Sequence, residues 1–168
     1  MKTISILLIL LLAGCTTTSD GPEQPGAPVE GRVSTVTADT IEGMDLPYEL
    51  RDPRNILSQR SVYFDYDSFE VKREYQPVVM AHAKFLVANR HFKILIQGNT
   101  DERGSREYNL ALGQKRADAV RKVLTVLGVH EDQIEAVSLG EEKPKNEGHD
   151  EIAWAENRRG DILYNGEF

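Results

Sequence analysis

One cysteine, Cys15, stands in 168 residues, and it closes a short apolar run. A lone thiol excludes any disulfide within the chain, so whatever folds here is held by a packed core. The run before it, Ile4 to Leu12 behind Lys2, is apolar but for Ser5. It falls short of the roughly 20 apolar residues that cross a bilayer and has the length of a secretory h-region. No second stretch could span a membrane. Small residues, Ala13 and Gly14, precede the cysteine, so the expected leader is 1–14 and the mature chain begins at Cys15.

Leu12-Ala13-Gly14-Cys15 resembles the lipobox of bacterial lipoproteins. The resemblance implies an N-acyl group and an S-diacylglycerol on Cys15, with no other cofactor. An exposed free thiol would be reactive in an oxidising compartment, and acylation consumes it. Several acyl chains together anchor stably, at about 0.8 kcal/mol per buried CH₂. Thr16, rather than Asp, follows the cysteine. In enterobacterial lipoproteins Asp at that position retains the protein at the inner membrane, so the similarity implies the outer membrane, with the folded part facing the periplasm.

The formal net charge is -7 and no block of Lys/Arg is present, which argues against nucleic acid as a partner. Residues 15–47 are polar and rich in Pro and Gly, with almost no aromatics. Such a segment buries too little apolar surface to offset its ordering entropy and reads as a lipidated, disordered tether. Leu46 to Leu57 reads as a transition that packs on the domain, taken as 48–168.

Ordered structure is expected from near Ser61. Val62-Tyr63-Phe64 is β-prone and ends in the turn cluster Asp65-Tyr66-Asp67-Ser68. Helical spacing of Val71, Tyr75, Val78, Val79, His82, Phe85 and Leu86 predicts a helix over about 70–88. Phe92 to Gln97 reads as a second strand, and a polar loop runs from Asn99 to Ser105. Leu110, Gly113, Ala117, Val120, Leu124 and Leu127 form the stripe of the clearest helix, with Lys115, Arg116, Arg121 and Lys122 off it and Gly128 as its stop. Ile134 to Leu139 reads as a third strand, Asp150 as the cap of a short helix to about Arg158, and Asp161 to Tyr164 as a last strand. The predicted class is α+β, a β-α-β-α-β-α-β sandwich with helices on one face of a four-stranded sheet.

Val62 to Asp67, the run from Gly98 to Asn109, Leu112 to Ala117, Gly140 to Pro144, Gly148 to Glu151 and Asn157 to Arg159 together resemble the OmpA-like peptidoglycan-binding domain family. The match covers about 60–164. It departs at Leu139, where such sequences usually carry Tyr, and at Gly160, where a small apolar residue is commoner. For a lipid-anchored member, the resemblance implies a non-catalytic tether between outer membrane and peptidoglycan. It also implies association with the Tol proteins, TolB among them, during envelope constriction at cell division.

The ligand so implied is meso-diaminopimelate of the stem peptide, whose side chain ends in an ammonium and a carboxylate. By resemblance, Asp101 accepts from the ammonium, Arg116 grips the carboxylate through two hydrogen bonds, and Asp67 is a third ligand with Tyr66 beside it. Leu112 lies against the ligand's methylene stem, while Asn99 and Thr100 contribute hydrogen bonds. Alanine at Asp101 or Arg116 is expected to abolish binding and leave the thermal melt nearly unchanged. Read without the family, Asp101 is a turn or cap residue, Arg116 a solvated helix residue, and Asp65 and Asp67 turn residues. Of Arg158 and Arg159, one is expected to brace the site and the other to face water.

Other chemistries find little support. His82, His91, His130 and His149 lack metal-ligand spacing, and His82 reads as a core residue. A glycan hydrolase using Asp67 and Asp101 would need one raised carboxyl pKa, which a neighbouring Arg opposes. A lipoprotein binding only periplasmic proteins, or an anchoring paralogue outside the Tol system, is the remaining alternative.

Overall fold

The computed structural model describes residues 46–168. The expected leader, Cys15, Thr16 and the tether up to residue 45 lie outside the described residues. Four helices, α1 (Tyr48–Arg51), α2 (Gln76–Ala88), α3 (Arg106–Val126) and α4 (Glu151–Asn157), accompany four strands, β1 (Ser61–Tyr63), β2 (Ile94–Asn99), β3 (Ile134–Gly140) and β4 (Arg159–Tyr164). The sheet order is β1-β4-β2-β3. β2 and β3 run parallel, joined by α3, and β4 lies antiparallel to both β1 and β2.

Period-two alternation decides which sheet face is buried. Ile94 pairs with Tyr164 and Ile96 with Ile162, and all four are buried with Val62 on the side of the helices. Val79, Ala83 and Leu86 of α2 and Ala117, Val120 and Leu124 of α3 complete this core. Leu95, Gln97, Asp161 and Leu163, alternating with the buried set, are half-buried on the opposite face. Each buried Val, Leu or Ile contributes roughly 1.5–3 kcal/mol.

The helices start where local chemistry permits. α2 begins at Gln76 rather than near residue 70, because Pro77 sits in its first turn, where a missing N–H costs nothing and the ring bars an earlier start. A 3₁₀ turn at Arg73–Tyr75 leads into it. Ser105 caps α3 by accepting from the Tyr108 N–H, and Asp150 caps α4 through the Ala153 N–H. β1 and β2 lie at 61–63 and 94–99, a little displaced from expectation.

The buried set of α3 is Asn109, Leu112, Gly113, Arg116, Ala117, Val120 and Leu124. Leu110 and Leu127, expected on the buried stripe, are exposed instead. Leu127 is the C-cap, past the last turn, and Leu110 lies at the edge of the buried arc. Leu50 and Leu57 from the transitional segment join the core. His82 is buried as expected, with Nδ1 at 2.8 Å from the Tyr164 hydroxyl and Nε2 at 2.9 Å from the Gln59 carbonyl.

Candidate ligand site

Two features of β2 aim the loop that carries Asp101. Gly98 lies so close to α3 that a Cβ there would stand 1.8 Å from the Gly113 carbonyl oxygen. The β2–β3 register then shifts between Gly98 and Asn99, a bulge that turns the strand end. Thr100 N–H donates to the Gly140 carbonyl at 2.8 Å, and Asp101 follows beside the N-terminal half of α3.

Arg116 is fully buried. Its Nε donates to the Ser68 carbonyl at 2.8 Å, Nη1 to Asn99 at 2.8 Å and Nη2 to Asp65 at 3.1 Å. The guanidinium lies 5.3 Å from the centre of the Phe64 ring. One side chain thus holds the β1–α2 loop and the end of β2 together. A guanidinium has five N–H donors; three are used on these carbonyls, leaving one on each terminal nitrogen. Burial lowers the Arg116 pKa to about 10, with the Asp101 charge working the other way, and it stays cationic at neutral pH. The expectation of a surface arginine that alanine could replace at no cost to the fold is corrected. Arg116 was read as off the stripe, yet it lies between Gly113 and Ala117 on the buried side.

Asp101 is also almost fully buried. Its Oδ1 accepts from Arg103 N–H at 3.1 Å and from Arg103 Nε at 3.3 Å. Its Oδ2 accepts from Arg103 Nη2 at 2.6 Å and from Arg158 Nη1 at 3.3 Å. Burial pushes the Asp101 carboxyl up, but the bonds from Arg103 and Arg158 outweigh it and hold it below the ordinary carboxylate value. Arg158 also donates to Glu151 at 2.7 Å, so it braces the site as one of the two arginines was expected to. Arg159 does not face water: it is buried, 2.9 Å from Asp161.

Asp67 adopts φ 53°, a left-handed conformation unusual for any residue but Gly, and its carboxylate accepts from the Tyr108 hydroxyl. Tyr66, beside it, is exposed. The Arg103 guanidinium lies 4.2 Å from the centre of the Tyr66 ring and 4.1 Å from that of Trp154. Trp154 Nε1 in turn donates to Glu102 at 2.8 Å.

Tyr66, Asp67, Thr100, Asp101, Leu112 and Arg116 line one cavity of about 220 Å³, with Arg103, Gly104, Tyr108 and Asn109 completing it. A space of this size accommodates an amino-acid-sized end group. The Thr100 hydroxyl, at the cavity, is buried without a partner among the described residues. Asn99 is not part of the wall; its carbonyl sits behind Arg116. A carboxylate, a guanidinium and the Leu112 side chain around so small a space suit a zwitterion on an apolar stem. Sequence reasoning gave no role to Arg103, Tyr108 or Trp154, although Arg103 and Tyr108 lie within the Gly98 to Asn109 motif.

The OmpA family model matches residues 63–158. The peptidoglycan-associated lipoprotein of Pasteurella multocida is 50% identical over 110 residues, which are 64% of this chain and 73% of that protein. The peptidoglycan-associated lipoprotein of Pseudomonas aeruginosa is 37% identical over 153 residues, 91% of this chain and 89% of that one. The crystal structure of the peptidoglycan-associated lipoprotein from Burkholderia pseudomallei matches with a TM-score of 0.68 at 59% identity, covering 69% of this chain and 98% of that chain. The C-terminal domain of Helicobacter pylori MotB, 23% identical, shares the fold at a TM-score of 0.58 over 62% of this chain and 82% of that one. The family match spans most of the described residues, and two relatives above 30% identity are covered over most of their length. This chain belongs to the OmpA family, among the peptidoglycan-associated lipoproteins.

Proposed function

We propose that this protein is an outer-membrane lipoprotein that grips peptidoglycan non-covalently through the distal amino-acid centre of meso-diaminopimelate, and so ties membrane to wall. The observation that carries the reading is the convergence of Asp101, Asp67 and Arg116, from three separate stretches of chain, on one cavity. Asp101 takes the ammonium, Arg116 the carboxylate through its two remaining N–H groups, Thr100 supplies a hydroxyl, and Leu112 packs on the methylenes. Lipid on Cys15 fixes the other end, and the segment between spans the gap. Many copies on one sheet of wall add avidity to weak single contacts.

The reading is of a binding module, without turnover. A glycan hydrolase needs a carboxylic acid that keeps its proton, and the Asp101 carboxyl is shifted the opposite way. Association with TolB and the other Tol proteins during constriction, with TolB competing for a surface overlapping the wall site, belongs to the same proposal.

Co-sedimentation with purified sacculi tests it. The wild-type chain is expected to pellet and release no reducing sugar, and the Asp101→Asn variant to stay in the supernatant. A wild type that stays in the supernatant would favour a lipoprotein that binds only protein partners, and equal pelleting of variant and wild type would move wall binding away from Asp101. Release of sugar would overturn the non-enzyme reading.

A further inference from the structure

Asp101 is saturated before any ligand arrives. A carboxylate offers about four acceptor positions, and four donors already point at this one: Arg103 N–H, Arg103 Nε, Arg103 Nη2 and Arg158 Nη1. Three come from Arg103, and the shortest, at 2.6 Å, is the Nη2 bond. Arg158 is buried and also tied to the Phe64 carbonyl and Glu151, and the Arg103 N–H is part of the loop backbone. Only the Arg103 guanidinium can leave without unfolding something. Its side chain is 30% exposed.

We infer that the Arg103 guanidinium is an internal stand-in for the ligand's ammonium: it occupies Asp101 in the empty site and swings away when the ligand binds. This rests on the diaminopimelate reading above. The Tyr66 and Trp154 rings, at 4.2 and 4.1 Å on the guanidinium, set how firmly the stand-in is held. Glu102 steadies Trp154 by accepting from its indole N–H and also accepts from His149. The stand-in keeps a buried carboxylate paired in the absence of ligand, which otherwise carries a large desolvation cost. It also sets specificity. A ligand with a distal ammonium displaces Arg103 like for like, whereas one lacking that amine must bind with Arg103 in place and gains nothing from Asp101.

The test is calorimetric titration of the whole chain, wild type and Arg103→Ala, with two stem tripeptides, one carrying meso-diaminopimelate and one in which its distal amine is replaced by hydrogen. Arg103→Ala is expected to bind the first more tightly, by about tenfold or more, the change when one charge-assisted bond no longer competes. Affinity for the second should change by no more than about twofold. Trp154, the only tryptophan, reports the motion directly: its emission should shift in the wild type on adding the first tripeptide and stay fixed with the second. Trp154→Ala, which removes one ring of the stack, should tighten binding in the same direction by less, and covers the case in which Arg103→Ala does not fold. Weaker or unchanged binding by folded Arg103→Ala, with the wild type binding, would overturn the stand-in and leave the diaminopimelate site standing. Failure of the wild type to bind the first tripeptide would bring down both.

Discussion

Arg116 and Asp101 line one cavity, yet each is held by partners other than the other: the guanidinium by the carbonyls of Asp65, Ser68 and Asn99, the carboxylate by Arg103 and Arg158. Two opposite charges are therefore fixed in place without neutralising each other. On the reading proposed above, a zwitterion entering between them finds Arg116 fixed and Asp101 still held by Arg158, with only the Arg103 guanidinium to displace, and preorganisation of this kind lowers the ordering cost of binding.

Arg116 should matter as much for stability as for binding. Arg116→Ala would leave three carbonyls without their donor, that of Asn99 buried and those of Asp65 and Ser68 partly so, which costs about 3 kcal/mol. Arg116→Lys cannot restore the planar fork and should recover only part. Thermal melts check this; a variant melting within about 2 °C of wild type would contradict the clamp. Asp101→Asn keeps the shape and should cost about 1–3 kcal/mol while removing sacculus binding.

Asp67 separates the two roles. Asp67→Gly relieves the left-handed backbone by up to about 1 kcal/mol and loses the bond from Tyr108, worth a similar amount at an exposed site. The melt should move little, while co-sedimentation falls. A large drop in stability with binding intact would reverse that assignment.

The contact between Gly98 and Gly113 sets the distance of α3 from β2. Gly98→Ala places a methyl 1.8 Å from the Gly113 carbonyl oxygen, and main chain can yield only by moving the helix. A cost of about 2–3 kcal/mol is expected, together with weaker ligand binding, because Arg116 rides on the same helix. Chemical denaturation and sedimentation of one preparation would read both.

His82 predicts acid sensitivity. Burial lowers its pKa from 6.5 to about 4, so the unfolded chain binds a proton between those values and the folded one does not. Stability is then full above about pH 6.5 and falls as pH drops toward 4, by on the order of 3 kcal/mol for this group. Urea melts at pH 7, 5.5 and 4.5 should show the slope, and His82→Gln should flatten it. An unchanged slope in that variant would assign the effect to other groups.

Much of this was legible in the sequence. The order of elements, the cap at Asp150 and the core role of His82 follow from spacing and local chemistry. The placement of Arg116 was not, because a charge on an amphipathic helix reads as solvated unless loop carbonyls distant in sequence are known to need donors. The start of α2 was misplaced because apolar spacing ran on through Val71 and Tyr75 and outweighed Pro77. Arg103 stood in view within its motif, but the rings that flank it lie in the β1–α2 loop and on α4, and only the fold brings them together.

A crystal structure of the protein bound to the stem tripeptide ending in meso-diaminopimelate tests the account most directly. It should show the distal ammonium on the Asp101 carboxylate and the distal carboxylate bridged by the two terminal nitrogens of Arg116, with Arg103 turned out of the cavity. A tripeptide seated elsewhere, or one whose distal centre touches neither residue, would contradict it.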